Sequence, residues 1–171
     1  MTRSTYLVAG AIAALGVIAP MAWRPLPRLI WNASASVPIG LYVVRPAAPL
    51  RLGELVAVTP PPTLAELFAR RRYLPQGVPL LKHIAALPGQ ILCRKGVTVT
   101  VDGATLGRAL PHDRLGRPLP TWRGCFAIPP GQVFLLNRRP PDSLDGRYFG
   151  ALSVSAIIGR ADPLWIPKAR K

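Results

Sequence analysis

The chain is short of acid. Seven Asp and Glu stand against 22 Lys and Arg, for a net charge of +15. That balance suggests nucleic acid or an anionic membrane surface as a partner. The basic residues are scattered, however, apart from Arg70-Arg71-Arg72. There is no zinc-finger spacing and no basic helix with interleaved aromatics, so nucleic acid is not an expected partner. Cysteine and histidine are equally scarce, two of each. Neither pair has the short spacing of a metal site, and no metal is expected. Lysine is scarcest relative to its class. Lys82, Lys95, Lys168 and Lys171 are the four, and the remaining 18 cations are Arg. Arg keeps its proton in a protein, whereas a desolvated Lys gives it up. A mid-chain Lys here is therefore a candidate for chemistry. No internal repeat is evident.

What is abundant sets the fold class. Half of the 171 residues are hydrophobic, which argues against disorder and allows one core. With 21 Pro and 15 Gly, long helices are disfavoured and a loop-rich β domain is favoured. The expected division is an anchor or signal segment with its spacer at 1–28, one catalytic-sized domain at 29–166, and a basic tail at 167–171.

Residues 6–23 are uncharged and mostly apolar. The stretch is near the short end for a membrane span, and Trp23 suits an interface. A cleavable signal is the competing reading, but Pro20-Met21-Ala22 makes a poor cleavage site. A retained anchor is favoured, and either way the rest of the chain is exported. Pro25 and Pro27 stiffen the spacer. Strands are expected at 41–44, 53–58, 78–87 and 131–137, with hairpin arms at 90–93 and 97–101 and a turn at Asp102-Gly103. One good helix is expected at 63–73, with Thr63 and Glu66 as a capping box. Residues 113–122 and 138–146 read as loops.

The candidate chemistry begins at Asn32-Ala33-Ser34-Ala35-Ser36-Val37-Pro38-Ile39-Gly40-Leu41-Tyr42. In extended chain Ser34 and Ser36 share a face, so one is placed as nucleophile and the other as a donor beside it. A Ser-rich turn is the plainer reading. Serine nucleophiles need a base. His83 and His112 are the available imidazoles, and nothing near either supports a Ser-His-Asp triad. Lys82 lies in an apolar strand, on the face of Leu80, Ile84 and Ala86. Burial there lowers its pKa toward that of a usable base. A Lys that snorkels to water is the alternative. Cys93 and Cys125 are either one disulfide, as export allows, or two buried thiols.

These motifs, in this order, resemble signal peptidase I, the membrane-bound Ser/Lys peptidases. Within that family the sequence is most similar to the conjugative-transfer signal peptidases of the TraF type. The resemblance spans Asn32 to about Trp165. Ser34 to Tyr42 resembles the nucleophile box, and Leu80-Leu81-Lys82-His83-Ile84 with Leu87-Pro88-Gly89 resembles the base box. Val101-Asp102-Gly103 resembles the hairpin that follows. Gly116-Arg117-Pro118-Leu119-Pro120 is particular to the conjugative branch. Ser143-Leu144-Asp145-Gly146-Arg147-Tyr148-Phe149-Gly150 resembles the last box. Where general signal peptidases carry a Gly-Asp-Asn run, this chain has Leu136-Asn137-Arg138-Arg139-Pro140.

The resemblance implies a mostly β signal-peptidase-like core with one short helix, preceded by an N-terminal apolar helix. It implies Ser36 as nucleophile, Lys82 as base, Asp145 as the acidic residue of the conjugative branch, and Ser34 with the Ser36 N–H as oxyanion donors. Ser143 and Arg147 are supporting residues, and no cofactor is implied. The expected partner is a pilin precursor or another exported protein, cut after small residues, at the periplasmic face of the inner membrane. A general signal peptidase and a non-catalytic, basic, membrane-associated assembly protein are the alternatives.

Overall fold

The computed structural model describes residues 3–22 and 29–167. The proposed spacer at 23–28, with Trp23, Pro25 and Pro27, and the tail at 168–171 lie outside the described residues. Helix α1 spans Arg3–Ala22. Its Tyr6, Leu7, Val8, Ile12 and Leu15 are exposed. Among the described residues no helix is long and apolar enough to cross a membrane. The spanning anchor expected at 6–23 is thus met by a helix, but not by one of that kind.

The domain is antiparallel β throughout. In chain order the strands are β1 (Leu29–Asn32), β2 (Gly40–Arg45), β3 (Leu55–Val58), β4 (Leu80–Ala86), β5 (Ile91–Lys95) and β6 (Thr98–Val101). They continue as β7 (Ala104–Arg108), β8 (Gly124–Ala127), β9 (Gln132–Leu136), β10 (Leu152–Ser153) and β11 (Ile157–Trp165). One sheet has the order β1-β2-β11-β3-β4-β9-β10, and a second has β7-β6-β5-β8. Leu92, Val99 and Val101 of the small sheet pack with Ala86, Phe134 and Leu136 of the large one, which joins the two. One face of the large sheet buries Ile30, Tyr42, Ala57, Leu81 and Ala161. The other buries Val56, Val58, Ile84, Val133 and Leu135. The chain leaves several strands through Pro or Gly, as at Pro46, Pro60, Pro88-Gly89, Gly96 and Gly103, so that many Pro coexist with an ordered sheet.

Three features differ from the sequence reading. Helix α2 is Pro62–Arg70, capped at Pro61 with no side-chain cap bond. Pro62 fits the first helical turn, so the helix starts ahead of Thr63 and the expected capping box does not form. A one-turn helix α3, Gly146–Phe149, adds to the single short helix expected. Strands β1, β7, β8 and most of β11 had no distinct signal, being short or interrupted by Gly and Pro. Cys93 and Cys125 face each other across β5 and β8 and are disulfide-bonded.

Candidate active site

Ser34 and Ser36 sit in a turn rather than in extended chain. Asn32, at the end of β1, builds that turn. Its Nδ2 donates to the carbonyls of Ser34, Val37 and Pro38 at 2.8, 3.1 and 3.0 Å. Its Oδ1 accepts from the Ser34 N–H at 3.1 Å and the Ser34 hydroxyl at 2.9 Å. Val37 is buried and the Tyr42 hydroxyl donates to the Pro38 carbonyl at 2.6 Å, so both ends of the turn are fixed. A β-carbon on Gly40 would lie 2.3 Å from the Trp165 carbonyl oxygen. Only Gly lets β11 approach there.

The two hydroxyl oxygens are 2.9 Å apart. Asn32 Oδ1 only accepts, so the Ser34 proton goes to it, and Ser36 must donate to Ser34. In this arrangement Ser36 points its proton along a chain to Asn32. No hydrogen bond joins it to Lys82 among the described residues. For Ser34 to serve as an oxyanion donor, its hydroxyl must rotate off Asn32.

Lys82 is 3% exposed and lies on the buried face of β4 with Ile84 and Ala86. Its Nζ donates to the Ser143 hydroxyl at 2.8 Å. Burial pushes its pKa down to about 8; the Asp145 carboxylate opposes this and the Arg147 guanidinium adds to it. Snorkelling to solvent is not what this Lys does. A neutral amine that donates to Ser143 keeps its lone pair free to accept a proton.

The backbone on either side of Lys82 is held by one side chain. Strand β9 ends at Leu136, and Asn137 continues its hydrogen bonding with its amide. Nδ2 donates to the Leu81 carbonyl at 3.0 Å. Oδ1 accepts from the His83 N–H at 3.2 Å and lies 2.9 Å from His83 Nδ1. That imidazole is engaged by Asn137, and His112 sits exposed in the loop that follows β7.

Behind Ser143 lies a buried ion pair. Asp145 is fully buried and caps α3 by accepting from the Arg147 N–H at 3.1 Å. Its carboxylate takes Arg147 Nε at 2.9 Å and Nη2 at 2.8 Å. It also accepts the Asn137 N–H at 3.0 Å. The Arg147 guanidinium in turn donates to the carbonyls of Ser143 at 3.0 Å, Pro141 at 2.7 Å and Asn137 at 3.2 Å. The pair thus fixes both groups that touch or flank Lys82. Gly146 makes this possible, since a β-carbon there would lie 2.4 Å from the Phe134 ring.

Ser34, Ser36, Lys82 and Ser143 line one cavity of about 890 Å³. Asp145 and Arg147 do not line it and act one layer back. The far wall is the end of α2 braced against the loop that carries Gly116-Arg117-Pro118-Leu119-Pro120. Arg71 donates to the Pro118 carbonyl at 2.7 Å, Arg117 to the Arg71 carbonyl at 3.3 Å, and the Tyr73 hydroxyl to Asp113. Ser36 also borders a second cavity of about 540 Å³, beside His83 and Arg139. Asn32, Asn137 and Asp113 have no role in the sequence analysis. The available signal was their type: Asn or Asp next to a turn or a strand end, where the side chain replaces a backbone partner.

Comparison with known proteins bears on what this arrangement is. The model of the family described as signal peptidase, peptidase S26, matches residues 1–166. A probable conjugal transfer protein TraF of Sinorhizobium fredii is 36% identical over 88% of this chain and 82% of its own. A conjugal transfer protein TraF of Agrobacterium fabrum is 33% identical over 78% of this chain and 80% of its own. The crystal structure of a signal peptidase I from Enterococcus faecalis aligns at 18% identity and TM-score 0.37, covering 64% of this chain and 94% of that one.

Proposed function

The chain belongs to the peptidase S26 signal peptidases, among the relatives named for conjugal transfer, and from that premise we propose that it is a serine endopeptidase working through Ser36 and Lys82. The observation that carries the reading is Lys82: a buried amine with its pKa near 8, bonded to Ser143, on the wall of the cavity that Ser36 also lines. A structural lysine gains nothing from such burial, whereas a general base needs it.

The steps follow from the groups present. A peptide carbonyl enters the cavity and the Ser34 hydroxyl turns from Asn32 toward it. The Ser36 oxygen attacks the carbonyl carbon while its proton passes to Lys82 Nζ. The Ser36 N–H and the Ser34 O–H hold the oxyanion. The intermediate collapses, the C–N bond breaks, and Lys82 gives its proton to the leaving amine. Water, or the amine of the substrate's own N-terminus, then attacks the Ser36 ester and loses a proton to Lys82, which passes it to the Ser36 oxygen as the ester C–O bond breaks. The first route gives a linear product and the second a cyclic one, lighter by one water.

The substrate proposed is the precursor of a pilin of a conjugation system, cut after small residues. Naming of the relatives for conjugal and plasmid transfer supports it. The disulfide supports an oxidising, periplasmic setting. Trp31 and Trp165, with ring centroids 5.8 Å apart and exposed with Leu29 and Leu164, give the strands beside the Ser36 turn an apolar rim that suits a membrane surface. The test is to incubate the purified protein with the precursor from its own gene cluster and with secretory preproteins, and to read intact masses. Selective processing of the pilin supports the proposal. Processing of preproteins alone makes the protein a general signal peptidase. Processing of neither, with no labelling of Ser36 by an acylating probe, leaves a non-catalytic assembly protein.

A further inference from the structure

We propose that Arg70 and Arg72 form a carboxylate-recognition subsite on the far wall of the Ser36–Lys82 cavity, so that the preferred peptide carries a carboxylate close to its scissile bond. The inference rests on the peptidase reading above and adds a substrate determinant to it.

Charge accounting around the cavity carries it. Five arginines line that wall, Arg70, Arg71, Arg72, Arg114 and Arg117, with two carboxylates, Asp113 and Asp142. Both carboxylates are taken. Arg117 Nε bonds Asp113 at 2.7 Å, with its guanidinium stacked over Tyr73, and Arg114 pairs with Asp142. Arg71 is committed to the Pro118 carbonyl. Among the described residues, Arg70 and Arg72 have no ion pair, and both are exposed. Two unpaired arginines therefore line the same cavity as the buried amine of Lys82.

The backbone supplies an independent observation. Arg72 has φ of 57°, the left-handed conformation that Gly or Asn takes at a helix end. An Arg side chain is strained there. The position closes α2, with the Arg72 N–H bonded to the Ala69 carbonyl at 3.0 Å and the Tyr73 N–H to the Phe68 carbonyl at 2.8 Å. The segment is also braced, because Arg71, Tyr73 and Arg117 tie it to the opposite loop. The two guanidiniums thus project from a fixed root, and planar Arg donors match a carboxylate in two-point geometry.

Two sources offer that group, an Asp or Glu side chain and the free C-terminus of a short leaving segment. Peptides with one Ala-Ser-Ala core and a blocked N-terminus, and with an amidated C-terminus unless stated, distinguish them. One has no carboxylate, a set has Asp moved through the flanking positions, and a set has a free C-terminus at increasing distance from the cut. At low ionic strength one carboxylate set should show kcat/KM about five- to tenfold above the neutral peptide. High salt should shrink that ratio. The Arg70→Gln/Arg72→Gln protein should bring it to about one, and Arg70→Lys/Arg72→Lys should restore part of it. Because each ratio is taken within one protein, a general loss of folding does not imitate the result. Equal kcat/KM for all peptides in the unmodified protein overturns the subsite and leaves the peptidase reading standing. No turnover with any peptide, together with no labelling of Ser36, overturns both.

Discussion

Replacing Lys82 by Met tests the energetic core of the account. Met keeps the apolar stem and removes the amine. Burial lowers the Lys82 pKa from 10.5 to about 8. That difference is about 3 kcal/mol by which the folded state disfavours the ammonium. Below pH 8 the folded protein must either carry a buried charge or give up its proton, and the full cost is present. Between pH 8 and 10.5 the unfolded chain binds more protons than the folded one, so stability rises with pH. Above 10.5 the cost is gone. The Met variant lacks this slope. Removing the amine also strips the Ser143 hydroxyl of its partner, at about 1 kcal/mol independent of pH. Urea titrations of both proteins from pH 7 to 10.5 should therefore show the Met variant more stable at pH 7 by about 2 kcal/mol. The unmodified protein should regain about 3 kcal/mol on it by pH 10.5. A stability difference that stays flat across that window means that the Lys82 pKa is not lowered, and the argument for a neutral base falls. The same pKa predicts a rise of about fivefold in kcat/KM from pH 7 to 8, as the neutral fraction climbs from about a tenth to about half. Lys82→Arg should be inactive at any of these values, since Arg does not deprotonate.

Asp145→Asn strands the Arg147 charge in the interior and should cost about 3–5 kcal/mol in denaturation, along with turnover; an unchanged midpoint would show that the pair is not essential to the fold. Asn137→Ala frees the backbone at Leu81 and His83 and should lower kcat by about a hundredfold through misplacement of Lys82, with KM little changed; a stability loss with kcat intact would make Asn137 structural only. Ser34→Ala should fold and be slower by about 10²–10³ in kcat; near-normal kcat would remove Ser34 from the oxyanion site. Cys93→Ser/Cys125→Ser reopens a loop of 32 residues and should cost about 3–4 kcal/mol, read as the difference between the two proteins in urea under non-reducing conditions.

The sequence made the β class and the central strands legible because apolar runs such as 80–86 end at Pro and Gly. It hid β1, β7, β8 and β11, whose four to nine residues carry exposed, polar or Pro positions and take their order from neighbours. The site was legible as types in order: two serines, a buried Lys, an Asp near an Arg. What could not be read was depth. Asp145 in a Pro-rich polar stretch looks like a turn residue, yet it is fully buried, because Gly146 lets α3 sit against Phe134. Nor could the sequence reveal that Asn137 carries on the hydrogen bonding of β9, since its backbone partners at Leu81 and His83 are distant in sequence; Asn32 acts locally, but its type alone does not fix the Ser36 turn.

The central claim is that Ser36 is a nucleophile served by neutral Lys82. The measurement that meets it most directly is the rate of adduct formation with a serine-directed acylating probe, followed by intact mass and peptide mapping across pH. A single adduct on Ser36 is predicted, forming faster as pH rises through about 8, and absent from Ser36→Ala and from Lys82→Arg. An adduct on Ser34 or Ser143, a rate indifferent to Lys82, or a Ser36→Ala protein that still cleaves its substrate would contradict the account.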